Sequence, residues 1–192
     1  MIIVTSLKDH INVCESIKPN YLISVIDPGF SPPTPKGVKY HLKLGFDDIT
    51  ELTKSNFIHR AIGSFTNVEI NKQILPDNNH INKIVNFISS WDRLEPIVIH
   101  CWCGVSRSMA TAVYILCKVA PENIEKNVRY IRSIAPHANP NTLMITLFEK
   151  NLGLDGLINK TFKKYPNTIT YDCETTFAPI CIFKINDLKK FE

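Results

Sequence analysis

Pro96-Ile97-Val98-Ile99-His100-Cys101-Trp102-Cys103-Gly104-Val105-Ser106-Arg107-Ser108, continuing as Met109-Ala110-Thr111-Ala112-Val113-Tyr114-Ile115-Leu116, is the stretch that decides how the rest of the chain is read. Residues 96–99 are apolar without polar alternation, which predicts a strand buried on both faces. The small and apolar residues from Ala110 onward predict a helix buried over most of its surface. Between them lies a loop that opens with a cysteine and closes with an arginine. A loop turning sharply from strand to helix can point successive backbone N–H groups inward, and the helix N-terminus adds its own unpaired donors. An oxyanion fits such a cradle. Arg107 can bind two of its oxygens with a planar fork, which a lysine cannot do. The same donors favour the thiolate of Cys101, placing a nucleophile at the base of the cradle. Gly104 suits a position where the backbone takes positive φ or approaches the anion closely, and Ser108 offers a hydroxyl to a departing thiolate.

The pattern His100-Cys101-x-x-Gly104-x-x-Arg107-Ser108 resembles the signature of the cysteine-dependent protein tyrosine phosphatase superfamily, and in particular small bacterial dual-specificity-like phosphatases. A bare C-x5-R recurs by chance; the added His, Gly and Ser at a strand-to-helix junction make the match specific. The resemblance implies an α/β fold, a central mostly parallel sheet flanked by helices, over about residues 1–152. It implies Cys101, Arg107 and Ser108 as catalytic residues and Trp102, Cys103, Gly104, Val105, Ser106 and Arg107 as the phosphate-binding loop. His100 is then a supporting residue that holds the loop in shape by a ring hydrogen bond. No cofactor or metal is implied.

Composition agrees with a globular soluble protein: 192 residues, 44% hydrophobic and 21% charged, with a net charge of +4 too diffuse to suggest nucleic-acid binding. The six cysteines show no small-domain disulfide spacing and read as reduced thiols of a cytoplasmic protein. Met1 to Leu7 is too short for the apolar region of a signal sequence, and no run reaches membrane-spanning length. The expected partner is a phosphorylated protein or another phosphoester, with no membrane or nucleic acid.

In chain order, strands are expected at residues 2–7, 21–26, 38–44 and 96–99, and helices at 8–17, 77–91, from 109 onward, from Pro121 through Ile134, and at 142–152. Residues 51–80 lack a sustained period and read as a covering excursion, either a lid or an insertion packed on the sheet edge. Residues 153–192 read as an extension docked on the domain, with a helix at 155–165 and short strands at 168–171 and 180–185.

Asp47 and Asp48 follow the third strand, where the resembling family carries its general acid. Asp48 is the preferred acid, although Asp48-Ile49-Thr50-Glu51 also reads as a helix capping box. His100, Cys101 and Cys103 lack the fourth ligand that a zinc site wants. Cys103 reads as a small loop filler rather than a trap for oxidised Cys101, and Trp102 either lines the cleft or packs beneath the loop. Asn139-Pro140 reads as a helix cap with its first-turn proline. The functional expectation is hydrolysis of phosphotyrosine, with phosphoserine and phosphothreonine as further candidate esters, through a cysteinyl phosphate. The alternatives are a non-catalytic phosphate-binding pseudophosphatase or a phosphatase of a non-protein ester.

Overall fold

The parallel strands predicted from the unbroken apolar runs assemble into one sheet whose C-terminal ends share an edge. The structure, a computed structural model, describes residues 1–52, 57–61, 64–68 and 72–191. Its elements are β1 (Ile2–Thr5), α1 (His10–Ile17), β2 (Tyr21–Ile26), β3 (Tyr40–Gly45), β4 (Phe57–Ala61), β5 (Ser64–Val68), α2 (Asn78–Ser89), β6 (Ile97–His100), α3 (Arg107–Val119), α4 (Ile124–Ile134), α5 (Thr142–Leu152), α6 (Leu157–Lys164), β7 (Cys181–Phe183) and α7 (Ile185–Lys190). The main sheet runs β3-β2-β6-β1-β7. The first four strands in that order are mutually parallel, and β7 closes the far edge antiparallel to β1.

Both faces of the sheet are covered, because successive side chains of a strand point to opposite sides. Ile2, Val4, Ile23, Val25, Ile97 and Ile99 face the larger core, shared with α2 to α6. Ile3, Leu22 and Val98 face Val13 and Cys14 of α1. Helix α3, which leaves β6 through the signature loop, is buried from Arg107 to Cys117. That burial explains its nearly continuous run of small and apolar residues.

Several boundaries differ from the sequence reading. Helix α4 starts at Ile124, not Pro121, because the Asn123 side chain accepts from Lys126 N–H at 2.9 Å and caps it there. Helix α5 is capped by Asn141, whose Oδ1 accepts from Met144 N–H at 3.0 Å, so Asn139 and Pro140 lie outside it. Helix α2 begins as expected, Asp77 accepting from His80 N–H at 2.9 Å. Residues 168–171 form no strand. In the 51–80 region β4 and β5 pair antiparallel as a separate two-stranded sheet. The lid reading itself rests on side chains that lie outside the described residues.

Candidate active site

Thr5, Ile26, Gly45 and His100 end the four parallel strands along one edge, so the segments that follow them meet in space. Those segments carry Ser6, Asp27, Phe46 to Asp48, and the loop from Cys101 to Ser106. In that loop Cys101 Sγ is buried, accepts from Gly104 N–H at 3.3 Å and lies 3.0 Å from Ser108 Oγ. Gly104 has φ +82°, and a Cβ there would sit 3.2 to 3.3 Å from Thr5 and Ser6 backbone atoms. Any other residue would meet backbone strain and press tightly on the β1–α1 turn, which would have to give by a few tenths of an ångström.

Arg107 opens α3 with a fully buried guanidinium. Its Nη2 pairs with Asp27 Oδ1 at 2.7 Å, and its Nη1 donates to Phe46 O at 2.6 Å. Burial works against its charge, but Asp48, Asp27 and Cys101 outweigh it and hold the pKa above the ordinary value. Nε lies 3.7 Å from Asp48 Oδ2 and has no hydrogen-bond acceptor among the described residues. A buried donor left open costs free energy that an anionic ligand would recover.

The aspartates separate cleanly. Asp47 is fully buried, and its Oδ2 accepts from Ile74 N–H at 2.7 Å, which ties the segment before α2 to β3. Asp48 stands at the mouth of the loop, its Oδ1 accepting from Ser106 Oγ at 2.6 Å and from Asn141 Nδ2 at 2.9 Å. Residues 49–52 are not helical, so Asp48 caps no helix. With Oδ1 doubly occupied, Oδ2 is the oxygen turned toward Arg107.

No family model matches the chain. Over 82 residues the chain is 35% identical to the dual specificity protein phosphatase YVH1 of Plasmodium falciparum, a match spanning 40% of this chain and 14% of that protein's length. Among solved structures, DUSP15 superposes with TM-score 0.53 at 14% identity, covering 87% of this chain and 94% of that one. Human DUSP28 gives 0.55 at 14% identity over 79% and 91%. The Yvh1 phosphatase domain from Chaetomium thermophilum gives 0.51 at 19% identity over 79% and 91%. The chain has the fold of the cysteine-dependent tyrosine phosphatase superfamily.

Within that fold, His100 bridges the loop to a buried polar chain. Its Nδ1 lies 3.3 Å from Cys101 O and its Nε2 2.6 Å from Ser24 Oγ; Ser24 Oγ lies 2.7 Å from His41 Nε2, and His41 Nδ1 2.8 Å from Thr34 Oγ1. His10 stacks on His100 with ring centroids 4.1 Å apart. Burial first, then neighbouring cationic groups, push His100 down to about 3 and His41 to about 4. Both rings are therefore neutral when folded at pH values where they charge in the unfolded chain. Unfolding takes up protons, so stability is full above pH 6.5 and is lost as pH falls from there toward 4. The melting temperature is expected to drop between pH 7 and 5, before carboxylates titrate, and to drop less in His41→Gln; a flat wild-type profile would contradict the neutral-histidine assignment.

Cys103 is not a loop filler, and the expectation of uniformly reduced cysteines fails here. Its sulfur is bonded to Cys173 across 70 residues of sequence. Trp102 Nε1 donates to Cys173 O at 3.2 Å, and Ala178 N–H donates to Cys103 O at 3.2 Å, so residues 173–178 strap the outside of the phosphate loop. The position of Trp102 is thus set by the strap. Closing a loop of 70 residues removes unfolded-state entropy worth about 4 kcal/mol in the chain-entropy account. Thiol reduction is expected to lower the urea midpoint of the wild type and to leave that of Cys173→Ser, already low, unmoved. Equal midpoints with and without reductant would show that the bond does not hold the fold.

The other cysteines, Cys14, Cys117 and Cys181, are free and buried, and burial pushes their thiols up to about 11, 12 and 11. Among the described residues no cluster of three or more His, Cys, Asp or Glu is placed to hold a metal ion, and no helix is long and apolar enough to cross a membrane. The sequence reading missed Asp27, Ser24, His41 and Cys173. Asp27 had a signal: an acidic residue at the C-terminal end of a parallel strand, on the same edge as the loop.

Proposed function

We propose that the chain is a cysteine-dependent phosphatase that hydrolyses phosphotyrosine esters, with phosphoserine and phosphothreonine as further substrates, through a cysteinyl phosphate. The observation that carries this is the buried Cys101 sulfur facing the Gly104 N–H and Ser108 hydroxyl, together with a buried Arg107 Nε that has no hydrogen-bond acceptor among the described residues. In the first step the Cys101 thiolate attacks phosphorus in line with the ester oxygen. The P–O bond breaks, and Asp48 Oδ2 delivers a proton to the leaving oxygen. Arg107 and the loop amides hold the equatorial oxygens. In the second, Asp48 takes a proton from water, the hydroxide attacks phosphorus, and the S–P bond breaks with Ser108 donating to the departing thiolate.

Asp27 supports this reading by fixing the guanidinium, and Asn141 and Ser106 by fixing Asp48. A cytoplasmic location and a phosphorylated protein partner go with it. There the Cys103–Cys173 bond would be open to exchange with cellular thiols. The test is hydrolysis of para-nitrophenyl phosphate by the wild type beside Cys101→Ser. Turnover by the wild type alone supports the reading; turnover by neither leaves a phosphate-binding module.

A further inference from the structure

Residues 173–178, in the C-terminal extension, cross the outer surface of the phosphate loop and are held at both ends. At one end lies the bond from Cys173 to Cys103. Just ahead of it, Asp172 Oδ1 accepts from the N–H groups of Glu174, Thr175 and Thr176 at 2.9 to 3.0 Å and sets the turn. At the other end Pro179 biases Ala178 toward extended backbone, and β7 begins at Cys181 along the edge of β1. Ala178 is buried, and its N–H donates to Cys103 O at 3.2 Å.

That carbonyl belongs to the same peptide unit as the Gly104 N–H. A trans peptide is planar, so its C=O and N–H point in opposite directions. With Cys103 O turned outward onto Ala178, the Gly104 N–H points inward, where it donates to Cys101 Sγ at 3.3 Å. Neighbouring peptides of the loop are anchored the same way: Trp102 O accepts from Leu7 N–H at 3.0 Å, and Val105 O accepts from Asn139 N–H at 3.0 Å. Leu7 and Asn139 lie before residue 152, whereas Ala178 belongs to the extension. Gly104 has φ +82° and no side chain to restrict its backbone, so the direction of its N–H depends on what holds the carbonyl before it.

We infer that Ala178 is a positioning residue for Cys101: its backbone N–H, acting through the Cys103–Gly104 peptide, aims an amide donor at the nucleophilic sulfur, and the Cys103–Cys173 bond keeps the strap in place. This deepens the phosphatase reading and rests on it for the role of Cys101. A hydrogen bond to a charged acceptor is stronger than one to a neutral acceptor, so the donor favours the thiolate over the thiol. Ser108 Oγ, 3.0 Å from the same sulfur, is carried by α3 and stays when the strap is altered. The extension thereby acts on the nucleophile through a hydrogen bond on the outside of the loop, without lining the cradle itself.

The test follows alkylation of Cys101 by iodoacetamide across pH. The thiolate is the reacting form, so the midpoint of the profile reports how strongly the loop favours it, and Cys101→Ser supplies the background from the other thiols. Two full-length proteins lack the Ala178 N–H. One is Ala178→Pro. The other carries an ester in place of the Phe177–Ala178 amide and is made by joining a synthetic segment of residues 173–192 at Cys173, with an all-amide chain made the same way as its reference. In both, the midpoint is expected to rise by about one pH unit, a tenfold loss in the thiolate equilibrium. An ester in place of the Thr175–Thr176 amide is the control. It removes an N–H of the same strap that faces Asp172, so it should lower the melting temperature and leave the midpoint where it is. An unmoved midpoint in the Ala178 ester with native circular dichroism would overturn the inference. So would an equal shift in the Thr176 ester, which would reduce the strap to a structural support. If Ala178→Pro does not fold, the ester decides, since it changes one group. If the wild type fails to hydrolyse para-nitrophenyl phosphate, the phosphatase reading fails, and the alkylation profiles still decide whether Ala178 positions the loop.

Discussion

Cys101→Ser is expected to lose hydrolysis of para-nitrophenyl phosphate on the order of 10^6-fold while still binding vanadate or phosphate. A serine hydroxyl remains un-ionised at neutral pH, so the covalent step stops. It nevertheless fits the pocket beneath the Gly104 N–H and beside Ser108, and neither the amide donors nor Arg107 are disturbed. Anion binding should therefore persist, seen as a raised melting temperature on adding vanadate. Activity equal to wild type would move the nucleophile elsewhere. Of the free cysteines, the other three are buried, with thiols pushed up by burial, and offer no replacement.

Asp48→Asn is expected to lower kcat by about 100- to 10,000-fold for alkyl and unactivated aryl phosphates, the usual contribution of a placed acid. If Asp48 is the acid, it is protonated while Cys101 is a thiolate, so kcat/KM follows a bell in pH. The acidic limb reports thiolate formation or the second ionisation of the substrate, and the basic limb reports loss of the Asp48 proton. Asparagine keeps an oxygen for Ser106 and Asn141, so the substitution removes the proton without releasing the side chain. The basic limb should vanish, and the penalty should shrink for esters whose leaving group needs no proton. Asp47→Asn is the control. Its carboxylate is buried on Ile74 N–H, so the loss expected there is about 1 to 3 kcal/mol of stability with the basic limb intact. A basic limb that disappears in Asp47→Asn and survives in Asp48→Asn would reverse the assignment.

The two aspartates mark the boundary between what local pattern carries and what it leaves open. Adjacent residues after one strand have equal claims by sequence, and the capping spacing from Asp48 to Glu51 weighed against the better candidate. Packing separates them: consecutive side chains point in opposite directions, so one is sealed under Ile74 and the other opens onto Ser106 and Arg107. Asn141 shows the same limit. Its capping role is local and readable, whereas its second hydrogen bond, to Asp48, crosses 93 residues of sequence.

The mostly parallel sheet was what the phosphatase resemblance implied, while by itself the sequence determined the buried strand-loop-helix and the placing of Cys101, Gly104, Arg107 and Ser108 at its turn. Each of these depends on neighbours a few residues away, through apolar runs, turn chemistry and helix-start donors. Only the tertiary structure decided the Asp27 partner of Arg107, the Ser24–His41 chain behind His100, the strap from Cys173 to the loop, and the backbone carbonyls and Phe162 ring that hold Arg132. Each of those joins groups far apart in sequence whose meeting depends on the order and register of the strands and on how α4 to α6 pack. No local period records that arrangement.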